Sequence, residues 1–158
     1  QEKAKEYLAT ALSEPGCTVD DLSAHLSIDC GDSATAIAEA SFYQEQWRQV
    51  LGIEVAVNSM ITKQGAQNRK TGNYVMSITG WGPDYNDPNT FLDLWVTDGG
   101  NNQTGFSNER YDELIDLAAT ETDLEKRRAL FHRVRADHCG SAPDRPGLLE
   151  SSVLCLLR

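Results

Sequence analysis

Gly80-Trp81-Gly82-Pro83-Asp84-Tyr85-Asn86-Asp87-Pro88-Asn89-Thr90-Phe91-Leu92-Asp93 is the stretch around which the rest of the chain falls into order. Before it runs Tyr74-Val75-Met76-Ser77-Ile78-Thr79, rich in β-formers and predicted to be a strand. After it comes an apolar segment, Phe91-Leu92-Asp93-Leu94-Trp95. Between them, two prolines and two glycines shape the backbone, because Pro pins φ and Gly opens conformations that other residues avoid. Asp84, Asn86 and Asp87 are crowded among Trp81, Tyr85 and Phe91. A strand that ends in a stiff loop of acids and aromatics suits a small cationic or polar ligand. A tight turn whose Asx side chains satisfy only their own backbone has the same composition, so the loop alone does not choose.

Working outward, the pattern upstream is that of an α/β layer. Glu2 to Ser13 places Ala4, Tyr7, Leu8, Ala11 and Leu12 on one helical face, and Glu14-Pro15-Gly16 stops it. Leu22, Ala24, Leu26 and Ile28 alternate with polar residues, which predicts a half-buried strand. Asp32 or Ser33 can cap a helix running to about Leu51, with Ala36, Ala40, Tyr43, Trp47, Val50 and Leu51 on its apolar side. Gly52 ends it, and Ile53, Val55 and Val57 alternate as the next strand. The polar residues 61–72 make a short helix or a loop.

Downstream, Thr97 to Phe106 reads as a surface connection. Neither it nor the preceding loop has the spacing of a calcium-binding EF-hand: counted from Asp84, Pro88 and Asn89 fall at its fifth and sixth positions. Ser107 or Asn108 caps a helix with Tyr111, Leu114, Ile115 and Ala118 on one face. Thr122 to Glu125 reads as a capping box for a last helix carrying Leu124, Leu130, Phe131 and Val134. His132 on that helix is read as a solvated side chain.

Composition bounds the function. Fourteen Lys and Arg against 24 Asp and Glu leave a net charge of −10, which argues against a nucleic-acid surface. No uninterrupted apolar run reaches membrane-spanning length. Cys17, Cys30, Cys139 and Cys155 lack a CxxC spacing and, with only His25, His132 and His138 beside them, suggest no zinc ligand set. Cys17 and Cys30 could pair in an oxidising compartment or stay as thiols. No nucleophile elbow, Walker loop or Gly-x-Gly-x-x-Gly follows a strand, and no cofactor is expected. Asp84, Asp87 and Asp93 could form a hydrolytic pair, but nothing in the sequence sets their separation or raises a pKa.

Taken in order, Gly80-Trp81, Asp84-Tyr85-Asn86-Asp87-Pro88, Phe91-Leu92-Asp93, Gly100 to Asp112 and Thr122 to Arg127 resemble the C-terminal lobe of the extracellular solute-binding proteins of oligopeptide and dipeptide ABC importers. The Leu51-Gly52-Ile53-Glu54-Val55 passage resembles that lobe too, and the likeness covers about residues 1 to 134. It implies an α/β fold, with a mixed sheet flanked by helices, forming one lobe of a two-lobed binder that closes over an extended peptide. It also implies that Asp84 pairs with the ligand's α-ammonium group and that the backbone of Trp81, Gly82 and Pro83 lies along the peptide. The implied function is non-catalytic capture. The implied partners are an oligopeptide or dipeptide, a missing N-terminal lobe and the importer's permease subunits, with no nucleic acid and no membrane span. The place implied is outside the cytoplasm, with a possible lipid anchor through an N-terminus upstream of Gln1. A ligand-sensing domain of a regulator and a carboxylate-dependent hydrolase are the alternatives.

The resemblance stops near the end. Where the family has an apolar run with Asp-Ala-Pro, this chain reads Ala136 to Gly147 and then Leu148 to Arg158. We therefore expect residues 1–138 to form the lobe and residues 139–158 to be an atypical, truncated or artefactual tail, exposed or engaged with another chain.

Overall fold

The computed structural model describes residues 1–138 and the backbone of Val153–Leu156. It divides into two compact units, residues 1–79 with 153–158 and residues 80–152.

In the first unit the helices are α1 (Glu2–Leu12), α2 (Val19–His25), α3 (Ala34–Leu51) and α4 (Thr62–Thr71). The strands are β1 (Ser27–Gly31), β2 (Ala56–Met60), β3 (Met76–Thr79) and β4 (Val153–Leu156), in sheet order β2-β1-β3-β4. Strand β1 is parallel to β2 and β3, and β4 runs antiparallel to β3, so the sheet is mixed as expected. The expectation for residues 139–158 otherwise falls outside the described residues.

Ser33 Oγ accepts the Ala36 N–H at 3.2 Å to open α3, and Gly52 closes it at φ 69°. The pleat of β1 sends Ile28 and Cys30 into a core with Ala40, Ile53, Val55 and Met76, against which Leu8, Leu22, Trp47 and Leu51 pack. Asp29, only 5% exposed, is held by the amides of Asn58 (3.2 Å) and Asn68 of α4 (3.1 Å). That network ties α4 to the sheet, and leaving the carboxylate without donors would be costly.

Two expectations about this unit are corrected. Residues 19–25 are helical, not extended: Thr18 Oγ1 accepts the Asp21 N–H and the Asp21 carboxylate accepts the Thr18 N–H, both at 3.1 Å. This reciprocal cap outweighs the alternation, since Leu22 and Leu26 also satisfy a helical spacing. The strand after Gly52 begins at Ala56; Ile53 and Val55 are buried before the ladder starts. Cys17 and Cys30 are both free thiols, and burial pushes the Cys30 thiol up, with Asp29 adding to the shift.

The second unit holds the loop from Gly80, a short helix α5 (Asn89–Leu92), one turn of 3₁₀ helix (Asp93–Trp95), α6 (Glu109–Thr120) and α7 (Leu124–His138). Asn108 caps α6, its side chain accepting the Tyr111 N–H at 3.1 Å. Tyr111, Leu114, Ile115 and Ala118 are all buried, as their spacing predicts. Asp123, rather than Thr122, caps α7, its Oδ1 accepting from the amides of Glu125 (3.0 Å) and Lys126 (3.1 Å). Leu124 opens the helix and is 77% exposed, whereas Val134 is fully buried. His132 is exposed.

His138 closes this core. Its ring lies 4.6 Å from Trp95, 4.9 Å from Phe106 and 5.8 Å from Tyr111, and its buried Nδ1 has no partner among the described residues. Burial holds its pKa below the ordinary histidine value. The unfolded chain therefore takes up this proton first as pH falls through about 6.5, so stability drops below that pH and levels off only beneath the folded value. Urea midpoints at pH 7.5 and 5.5 should show the loss, and His138→Phe should reduce it. An unchanged pH dependence in His138→Phe would remove this histidine as its source.

Candidate functional site

The loop from Gly80 to Pro88 is anchored at Asp84, Tyr85 and Asp87 by hydrogen bonds to its own turn and to α5. Thr90, only 2% exposed, turns its Oγ1 to accept the Asp84 N–H at 3.0 Å. Asp87 donates its N–H to the Tyr85 carbonyl (2.9 Å) and its own carbonyl accepts from Thr90 (3.2 Å). The Asp87 carboxylate also accepts the Asn89 N–H at 2.9 Å, which fixes the turn into α5.

Three acids in this stretch look alike in sequence, and the fold separates them. Asp87 is engaged by the Arg127 guanidinium from α7, which donates through Nη1 to Oδ2 and through Nη2 to Oδ1 (3.0 Å). That bonding holds the Asp87 carboxyl below the usual carboxylate range. Asp93 accepts from the Tyr85 hydroxyl (3.1 Å) and the Asn89 amide (3.4 Å). Asp84 is exposed, and among the described residues its carboxylate has neither a hydrogen-bond donor nor a cation. The loop thus holds out one free carboxylate while committing the other two.

The remaining residues singled out from sequence lie on the same segment. Gly82 and Pro83 are exposed, and Trp81 is half-buried with an indole N–H that is buried and without an acceptor among the described residues. Neither Gly80 nor Gly82 has positive φ, so the expectation that glycine is needed here for an unusual backbone is corrected. A Cβ at Gly82 would meet nothing within 4 Å, leaving open space over that backbone.

A hydrolytic carboxylate pair is not supported, since Asp87 is kept ionised by Arg127 and Asp93 is bonded to neutral groups. Among the described residues no cluster of His, Cys, Asp or Glu could hold a metal, and no helix is long and apolar enough to cross a membrane. Sequence reasoning missed Arg127 and Thr90, which support the loop. Arg127 carries no local signal, being 40 residues from the acid it grips.

Residues 1–103 match the family model described as bacterial extracellular solute-binding proteins, family 5, middle. The chain is similar to the oligopeptide-binding protein OppA of Bacillus subtilis, at 34% identity over 90% of this chain and 26% of that protein. It is 37% identical to the dipeptide-binding protein of Lactococcus lactis, over 77% of this chain and 22% of that one. Among solved structures it is similar to the murein tripeptide-binding protein MppA of Escherichia coli, with a TM-score of 0.79 at 27% identity. That match covers 90% of this chain and 27% of the other. OppA of Listeria monocytogenes, solved with bound peptide, gives 0.70 at 29% identity, over 85% of this chain and 25% of that one. The chain therefore spans about a quarter of the length of these relatives.

Proposed function

We propose, from the premise that this chain belongs to the bacterial extracellular solute-binding proteins of family 5, that it supplies part of the peptide-binding surface of an ABC importer's capture protein. Residues 1–138 form one lobe, and a second lobe of the same protein closes on the ligand outside the cytoplasm before delivery to the permease subunits. Capture involves no bond making or breaking, in keeping with relatives that are named as binding proteins.

The observation that carries this reading is the exposed Asp84 carboxylate, which has no partner among the described residues while Asp87 and Asp93 beside it are engaged. A peptide's α-ammonium group is its natural complement, because a charge-assisted hydrogen bond in a partly dry cleft is stronger than a neutral one. The open space over Gly82 lets an extended main chain approach the loop backbone, where pairing is independent of ligand side chains. Pro83 has no N–H, so such pairing uses its neighbours. The half-buried Trp81 brings an N–H that has no acceptor among the described residues.

One lobe alone presents a half-site open to water, where an exposed ion pair contributes only about 0–1 kcal/mol. Calorimetric titration of a free-amine tetrapeptide should therefore show weak or undetectable binding to the 158-residue chain and saturable binding to the complete two-lobed protein. N-acetylating the peptide should weaken the latter. Absence of saturable peptide binding by the complete protein would overturn the proposal.

A further inference from the structure

Arg127 is held through three of its five N–H groups and by a ring against its face. Its Nε donates to the Ala118 carbonyl at the end of α6 (2.8 Å), its two Nη groups grip Asp87, and its plane lies 4.7 Å from the centre of the Phe131 ring. The side chains of Arg127 and Asp87 are 23% and 25% exposed, so the pair is shielded from the solvent that makes surface ion pairs weak. Phe131, four residues on in α7, holds the fork in plane, and Ala118 fixes its third direction.

From this grip an unbroken path of hydrogen bonds reaches the free acid. Asp87 takes the Asn89 N–H on its side chain and the Thr90 N–H on its carbonyl. Thr90, set by that turn, uses its buried hydroxyl to receive the Asp84 N–H. The backbone at Asp84 is thus referred to the α6–α7 pair through Arg127, Asp87 and Thr90, all within one compact unit. Tyr85 adds a second tie, its hydroxyl donating to Asp93 (3.1 Å) and accepting from the Asn89 amide (3.4 Å), but only the Arg127 grip joins the loop to α7 among these contacts. A carboxylate on an exposed loop selects a ligand by position only if its support is rigid.

We propose that Arg127 is the positioning residue of the ligand loop: acting through Asp87 and Thr90, it sets where the Asp84 carboxylate stands and so controls discrimination for a free amino terminus without touching the ligand. This rests on the reading of Asp84 as the ammonium anchor. A lysine could keep the charge, but it could not make two parallel bonds to Asp87 together with the bond to Ala118.

The test uses the complete two-lobed protein and one tetrapeptide with a free or an acetylated N-terminus. The quantity read is the ratio of the two affinities, measured where every variant is folded. Arg127→Gln should reduce the ratio about tenfold, equivalent to about 1.4 kcal/mol of misplacement, and Arg127→Lys should recover only part of it. Asp87→Asn should do the same, and the double variant should be no worse than either single one. If Arg127→Gln does not fold, Asp87→Asn carries the same test. A lower melting temperature with an unchanged ratio in both would show that the clamp serves stability alone and overturn the proposal. Asp84→Asn separates the two ideas. If it collapses the ratio while the clamp variants do not, only the positioning role is lost. If Asp84→Asn leaves the ratio intact, the amine-anchor reading fails and this inference goes with it.

Discussion

Asp84→Asn in the complete protein is expected to weaken binding of a free-amine peptide by about 2–4 kcal/mol, while an N-acetylated peptide loses less than about 0.5 kcal/mol. The size follows from what is left behind. On the proposed reading, closure would desolvate the ligand's ammonium group, and the asparagine amide would offer it a neutral acceptor in place of a charge. Most of the cost is that of an uncompensated buried cation rather than of one missing contact. The acetylated peptide carries no such charge and has little to lose. Asp87 and Asp93 are not expected to substitute for the lost carboxylate, because Arg127 holds the first and Tyr85 and Asn89 hold the second. Titration of both peptides against both proteins closes a thermodynamic cycle, and equal losses would leave the loop as scaffold.

Tyr111→Ala is the largest stability change expected, about 3–5 kcal/mol by chemical denaturation. The ring is fully buried in α6, meets Phe106 edge-on at 5.3 Å, and packs in one cluster with Leu114, Ile115 and Val134. Leu92, Trp95, Val96 and Leu130 close around that cluster. Its hydroxyl donates to the Leu92 carbonyl at 2.5 Å, tying α6 to the end of α5. Truncation empties the centre of the unit and removes the hydroxyl's bond to that carbonyl. Tyr111→Phe keeps the packing and should cost only about 1–2 kcal/mol, the share of the lost bond. Equal losses in the two variants would mean that the hydrogen bond, and not the packing, holds the unit together.

How far these features were legible in the sequence depends on the range of the forces that set them. The buried face of α6 and the limits of α3 were readable because helical periodicity, the Ser33 cap and Gly52 act within a few residues. Residues 19–25 were misread because Leu22 and Leu26 fit a helical spacing as well as the alternation, and the Thr18–Asp21 cap decides between them. The start of β2 was missed by a few residues because register depends on β1, a distant partner.

The site shows the same division. Pro and Gly mark the loop, and acids beside aromatics mark it as a binding candidate, but three similar carboxylates cannot be ranked from spacing. What singles out Asp84 is the removal of the other two by partners, one of them 40 residues away on α7. The resemblance to a known family points to Asp84, and its exposed carboxylate without a partner among the described residues is the observation on which that proposal stands.

The most direct measurement is a crystal structure of the complete protein with a bound free-amine peptide. The account predicts the terminal nitrogen within about 2.7–2.9 Å of an Asp84 carboxylate oxygen, with the peptide main chain passing over Gly82. A peptide whose ammonium group lies against a different acid, with Asp84 left in solvent, would contradict it.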